Sequence, residues 1–144
     1  MALPDPQLQP EFYADVTVKR GIAFVVDVIV ITALVLVVVV LTAFTGVFIL
    51  PLLFGAVGLG YRIVTLANGS ATLGMRLMAI EFRRHDGETF GMPDAVWHSL
   101  GFTLSLMLPL LQLASVVMML TGARGQGLTD MMLGTVALNR RAGV

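Results

Sequence analysis

The chain has 144 residues, 57% of them hydrophobic and 12% charged, against about 25% charged in ordinary soluble domains, which excludes a water-exposed globule. Nine Lys/Arg balance nine Asp/Glu, so no basic field exists to hold nucleic acid by counterion release. Cysteine is absent and the only histidines, His85 and His98, lack a ligand spacing, so disulfides, thiolate sites, a resting metal and other cofactors are not expected.

Residues 1–19 are polar, with Pro4, Pro6 and Pro10 and the acids Asp5, Glu11 and Asp15 where a secretory signal would carry only positive charge. This reads as a retained cytoplasmic tail. The 34 positions between Asp27 and Arg62 hold no charge, and as one helix they would reach about 51 Å, well beyond a ~30 Å hydrocarbon core. Two crossings are therefore expected, over 21–43 and 47–66, broken at Thr42-Ala43-Phe44-Thr45-Gly46. The first is rich in Val and Ile, yet in lipid a lone strand leaves its backbone unpaired, so helix is expected. In the second, Ala56 and Gly60 form a small-x3-small pair that allows a close helix approach, or simply a glycine-tolerant helix.

Residues 68–94 turn polar, with Arg76, Arg83 and Arg84, and read as a loop outside the bilayer. Within it, residues 77–82 have strand character and His85-Asp86-Gly87 suits a hairpin turn, predicting a small cytoplasmic β element. Pro93 and Asp94 then open an apolar segment, 95–121. It forms either one tilted span or a helical hairpin broken at Pro109. Lys19 and Arg20 precede the first span, and Arg62, Arg76, Arg83 and Arg84 follow the end of the second, while the 42–46 turn has no charge. A hairpin would return Arg124, Arg140 and Arg141, in the C-terminal segment 124–144, to that same side. It would also let the β-branched run at 134–138 pair with 77–82. The fold class expected is thus an all-α membrane protein with two transmembrane helices, a third apolar segment and a small β element. Its place would be the bacterial cytoplasmic (inner) membrane, multi-pass, with a cytoplasmic N-terminus.

Asp27 is the most informative residue, because a carboxylate at membrane depth costs on the order of 3 kcal/mol and needs a partner or a wet cavity. Arg20, seven positions earlier, returns to nearly the same face and could lean toward it. Asp130, in Leu128-Thr129-Asp130-Met131-Met132-Leu133-Gly134-Thr135, stands among apolar residues as in a short helix at the membrane surface. With these residues the chain resembles the RDD family of bacterial membrane proteins, named for one arginine and two aspartates that map to Arg20, Asp27 and Asp130. The Arg-x6-Asp opening, the stretch Gly69-Ser70-Ala71-Thr72-Leu73-Gly74-Met75-Arg76-Leu77, the Asp86-Gly87 turn and the closing Leu-Thr-Asp-x3-Gly-Thr-Val carry the likeness, over about 17–141. Met75 and His98 depart from it, standing where the family usually has lysine and arginine.

The resemblance implies a membrane role for which transport has been suggested, with cation/proton antiport attributed to some members. Arg20, Asp27 and Asp130 are then expected to meet at the cytoplasmic membrane boundary, as an ion or proton site or as an ion cluster that locks packing. His98 is a secondary candidate, as proton relay or, the blander reading, interfacial anchor. Gly74 and Arg76 are the others, in a loop that lacks a Gly-Lys-Ser/Thr ending and so reads as a turn ahead of a phosphate cradle. Ser115 and Gln112 read as packing glue, and Trp97, Phe12, Tyr13 and Tyr61 as an aromatic belt. No nucleophile–base pair can be assembled, so an enzyme is not expected. Two functions stay open: exchange of monovalent cations for protons, which in so short a chain needs a homo-oligomer, or an accessory subunit of a larger membrane complex. In either case the lipid bilayer is the first partner.

Overall fold

The computed structural model describes residues 3–140. Helix α1 runs Val16–Leu41 and α2 Leu50–Ala67, preceded by a 3-10 turn over Thr45–Ile49. Both, with the turns that lead into them, are long and apolar enough to cross a membrane. Their side chains at Ile29, Leu36, Val40 and Leu52 stay exposed, as a lipid-facing surface requires. The reversal between them is tight. The Thr42 hydroxyl donates to the Val38 carbonyl and accepts from the Gly46 amide, and a Cβ on Gly46 would come within 3.0 Å of Leu53. Pro51 sits in the first turn of α2, where its missing N–H costs nothing.

After α2 the chain winds into a short helix, α3 (Leu73–Leu77), whose N-terminal amide at Met75 is capped by the Thr72 hydroxyl at 3.2 Å. Strand β1 (Ile80–Arg83) follows, then α4 (Met92–Met107), α5 (Pro109–Thr121), α6 (Leu128–Leu133) and strand β2 (Val136–Asn139). The strands pair antiparallel, from Ile80 opposite Asn139 to Arg83 opposite Val136. Helices α4 and α5 meet at 115°. The cause is local: Pro109 has no N–H and crowds the residue before it, so Leu108 lies at φ −114°, ψ 97°, outside helical space.

The buried core lies at one end of the molecule. Val16 and Ala23 from α1, Leu66 from α2, Met75 from α3, Ile80 and Phe82 from β1 and Ala95 from α4 form it. This explains why α1 starts five residues before the 21–43 expected from charge: its first turn is docked, with Val16 1% exposed. It also explains the shorter strand. Of the expected strand over 77–82, Leu77 ends the helix that the Thr72 cap starts, and the strand begins only at Ile80. Gly87 takes the expected positive φ, +85°, and the Arg84 amide donates to Glu88, yet the chain leaves this turn for α4 and β1 takes β2 as its partner. The expected 134–138 strand starts at Val136 because Gly134, at φ +70°, is used to end α6. The Ala56–Gly60 pair is left exposed, and the α2 glycine that faces α1 is Gly58, opposite Ile31. Arg141 lies outside the described residues.

Docking of α3 onto α1 depends on one missing side chain. A Cβ on Gly74 would stand 2.2 Å from the Ala23 carbonyl oxygen, backbone that cannot rotate away. Gly74→Ala is therefore expected to destabilise the detergent-solubilised protein by about 3 kcal/mol or more, at the upper end of overpacking costs. Gly55→Ala, where nothing lies within 4 Å, should leave the melting temperature unchanged or raised.

Candidate functional site

Two separate carboxylate nodes occupy the core end. Asp130 is the better surrounded. Its Oδ2 accepts from Arg20 Nη1 at 2.5 Å and from the Gly127 amide at 3.0 Å, and its Oδ1 meets His98 Nε2 at 2.8 Å and the Thr135 hydroxyl at 3.0 Å. The same acid accepts the amide of Gly127, the N-cap of α6, so its own helix helps to fix its position. Burial alone would raise its carboxyl, but the Arg20 guanidinium, then His98, then the Gly127 amide outweigh that and hold it well below the ordinary carboxylate value near 3.8. Arg20 also donates to the Gly125 carbonyl at 3.1 Å, and its guanidinium carbon stands 5.2 Å from the centre of the Phe82 ring. Helix α1 is thus clipped to the C-terminal loop and helix through one side chain.

His98 belongs to this node and is no interfacial anchor. It is 1% exposed and packs on Phe82 at 4.3 Å between centroids and on Phe90 at 5.5 Å. An ionised Asp130 can only accept, so Nε2 carries the proton toward it, while Nδ1 is buried without a partner among the described residues.

Asp27 forms the second node, and Arg20 does not reach it. Its Oδ1 accepts from the Tyr61 hydroxyl at 2.6 Å and the Gly74 amide at 2.9 Å, and its Oδ2 from the Thr72 hydroxyl at 2.6 Å. The carboxyl group is buried, with the residue 4% exposed, and it forms no ion pair among the described residues. Tyr61, read from sequence as part of an aromatic belt, turns its hydroxyl onto this carboxylate. Its hydroxyl bridges Asp27 and the Leu73 amide, which it accepts at 3.1 Å. The glycine-rich 69–76 segment delivers two of the three donors, so it serves as a clasp on Asp27 and not as a simple turn. Arg76 lies apart, closing that segment onto the carbonyls of Ala71 and Thr65.

The expected three-residue meeting is thus divided: Arg20 and Asp130 touch, and Asp27 is held by neutral donors. A small cavity of about 40 Å³ lined by Arg20, Asp27, Arg62 and Met75 separates the two nodes. Arg62, which charge placement alone marked as the end of a span, is 8% exposed and lies with its guanidinium carbon 3.8 Å over the Phe102 ring. Among the described residues it forms no ion pair, and its Nε has no hydrogen-bond partner. Sequence reasoning missed Tyr61, Thr72 and Arg62 as site residues; their polar groups beside or within apolar runs were the available signal. No group of metal-ligating side chains is present among the described residues.

The model of the RDD family matches residues 14–134, which takes in every residue of both nodes except Thr135, and the chain belongs to that family. No curated protein and no solved structure matches it.

The two acids should respond differently to neutralisation. Asp130→Asn leaves Arg20 without its anion in a buried site and should cost about 3–5 kcal/mol, read as a fall in the melting temperature of the detergent-solubilised protein. Asp130 is depressed in the folded state, so its contribution is complete above its unfolded value near 3.8 and fades as pH falls below it. The difference in melting temperature between wild type and Asp130→Asn should accordingly be constant at neutral pH and shrink below about pH 4.

Proposed function

From its place in the RDD family and its apolar helices, we propose that this chain is a multi-pass protein of the bacterial cytoplasmic membrane that exchanges a monovalent cation for a proton at Asp27. The observation that carries the reading is the environment of that carboxylate: buried within a membrane-length helix and held only by Tyr61, Thr72 and Gly74. A proton can reach such a group without breaking an ion pair, and a cation can replace the proton against the carboxylate with the Tyr61 and Thr72 hydroxyl oxygens as further ligands. Asp130 lacks this freedom, because protonating it would strand the Arg20 charge. We assign Asp27 the exchange and the Asp130 node the scaffold.

The proposed topology puts the N-terminus, the sheet and α6 on the cytoplasmic side. Basic residues cluster there and are absent from the 42–46 turn. The β1–β2 pairing supports a re-entrant α4–α5 hairpin, since a strand that follows α2 and a strand that follows α5 and α6 hydrogen-bond to each other. Beyond Asp27 and Tyr61, residues 28–41 and 50–60 contain no ionisable side chain. So few short helices leave little room for a path through the outer half of the bilayer within one chain, which makes a homo-oligomer part of the proposal.

That same apolar outer half also suits an accessory subunit packed against a larger membrane complex. Mild extraction and mass spectrometry separate the two: stoichiometric foreign subunits favour the accessory role, and a homo-oligomer alone favours exchange. The direct test uses reconstituted vesicles with an internal pH dye. A Na⁺ or K⁺ gradient should move protons with wild type and not with Asp27→Asn, while the surface variant Arg84→Gln behaves as wild type. A wild-type protein that moves no protons under either gradient removes the exchange reading.

A further inference from the structure

An apolar groove of about 290 Å³ opens between α1, α2 and α4, walled by Ile31, Phe54, Gly55, Gly58, Leu106 and Met107. Its charged end holds Asp27 and Arg62, beside the ring of Phe102. Those two charges are not equivalent. Asp27 already accepts three hydrogen bonds, whereas Arg62, more than nine-tenths buried, has no ion pair among the described residues and an unpartnered Nε. A buried guanidinium without acceptors is a costly arrangement that an anion in the groove would relieve.

We propose that the groove binds one acidic phospholipid of the surrounding bilayer, with its phosphate on Arg62 and one acyl chain along the wall of α2. Three observations converge on that occupant. The guanidinium carbon stands 3.8 Å from the centre of the Phe102 ring, no acceptor takes its N–H groups among the described residues, and a planar fork of donors matches a phosphate with two bonds. Direction fits as well: Arg62 stands five residues from the end of α2, about 8 Å inside, and the groove continues to Phe54, about 12 Å deeper along the helix. That is the order of a lipid, charge near the boundary and hydrocarbon toward the middle. The groove also lies at the lower edge of the ~300–1,000 Å³ common for small-ligand sites, which suits a single chain. Glycine makes the room, since nothing lies within 4 Å of a Cβ built on Gly55.

The full chain, purified in mild detergent, is titrated by native mass spectrometry with phosphatidylglycerol, with phosphatidylcholine of the same chains, and with inorganic phosphate. Wild type should retain one phosphatidylglycerol, about tenfold more tightly than phosphatidylcholine, and no inorganic phosphate. Arg62→Gln should erase the preference between the two lipids. Gly55→Leu, which fills the groove and leaves Arg62 in place, should weaken retention of phosphatidylglycerol by about tenfold, and this holds the test open if Arg62→Gln does not fold. Arg84→Gln, partly exposed and away from the groove, should match wild type. Equal retention of both lipids by wild type, an unchanged preference in Arg62→Gln, undiminished binding in Gly55→Leu, or binding of inorganic phosphate as tight as that of the lipid would each overturn the proposal.

Discussion

A carboxylate that is wholly buried beside a helix bundle must be met by cations and donors, and Asp130 is met on both oxygens. This single requirement organises the core end of the molecule. Arg20 from α1, His98 from α4, the Gly127 amide at the start of α6 and Thr135 ahead of β2 all converge on one group. Residues 110 positions apart in sequence become neighbours, and the sheet closes over them as β2 runs back along β1. The aromatic rings of Phe82 and Phe90, stacked at 5.3 Å between centroids, exclude water from the node and so strengthen its electrostatics.

Asp27 shows the opposite solution to the same cost. It meets two hydroxyls and an amide, uncharged donors that satisfy the lone pairs of its oxygens. It shares a small cavity with Arg62 and Arg20 and pairs with neither. The two acids thus differ in their company, one bound to a guanidinium and an imidazole and the other to uncharged donors, and the exchange proposed at Asp27 rests on that difference.

Much of this architecture is legible in the residues. The uncharged run from Asp27 to Arg62 gives two helices because one would overreach the bilayer, and Pro109 marks the bend because it deforms Leu108. The strand near the C-terminus is visible in Val136 and its neighbours. What pairs with what is much less so. The partners of Asp27 come from 34, 45 and 47 residues away and are uncharged, so no rule of opposite charge points to them. His98 reads as interfacial from its place near a helix start, yet the sheet and Phe90 cover it. Gly74 offers no side chain to reason from; its importance is the absence of a Cβ where α3 presses on the Ala23 carbonyl. Tertiary closeness, not local propensity, decides each of these.

A double-mutant cycle across Arg20 and Asp130 tests the organising pair most directly. The melting free energies of Arg20→Gln, Asp130→Asn and the double variant would be compared with wild type in one detergent. A coupling of about 2–3 kcal/mol is predicted, because the second substitution removes a buried charge that the first had already left alone. Additive losses, with coupling near zero, would contradict the claim that this contact joins the first helix to the C-terminal segment.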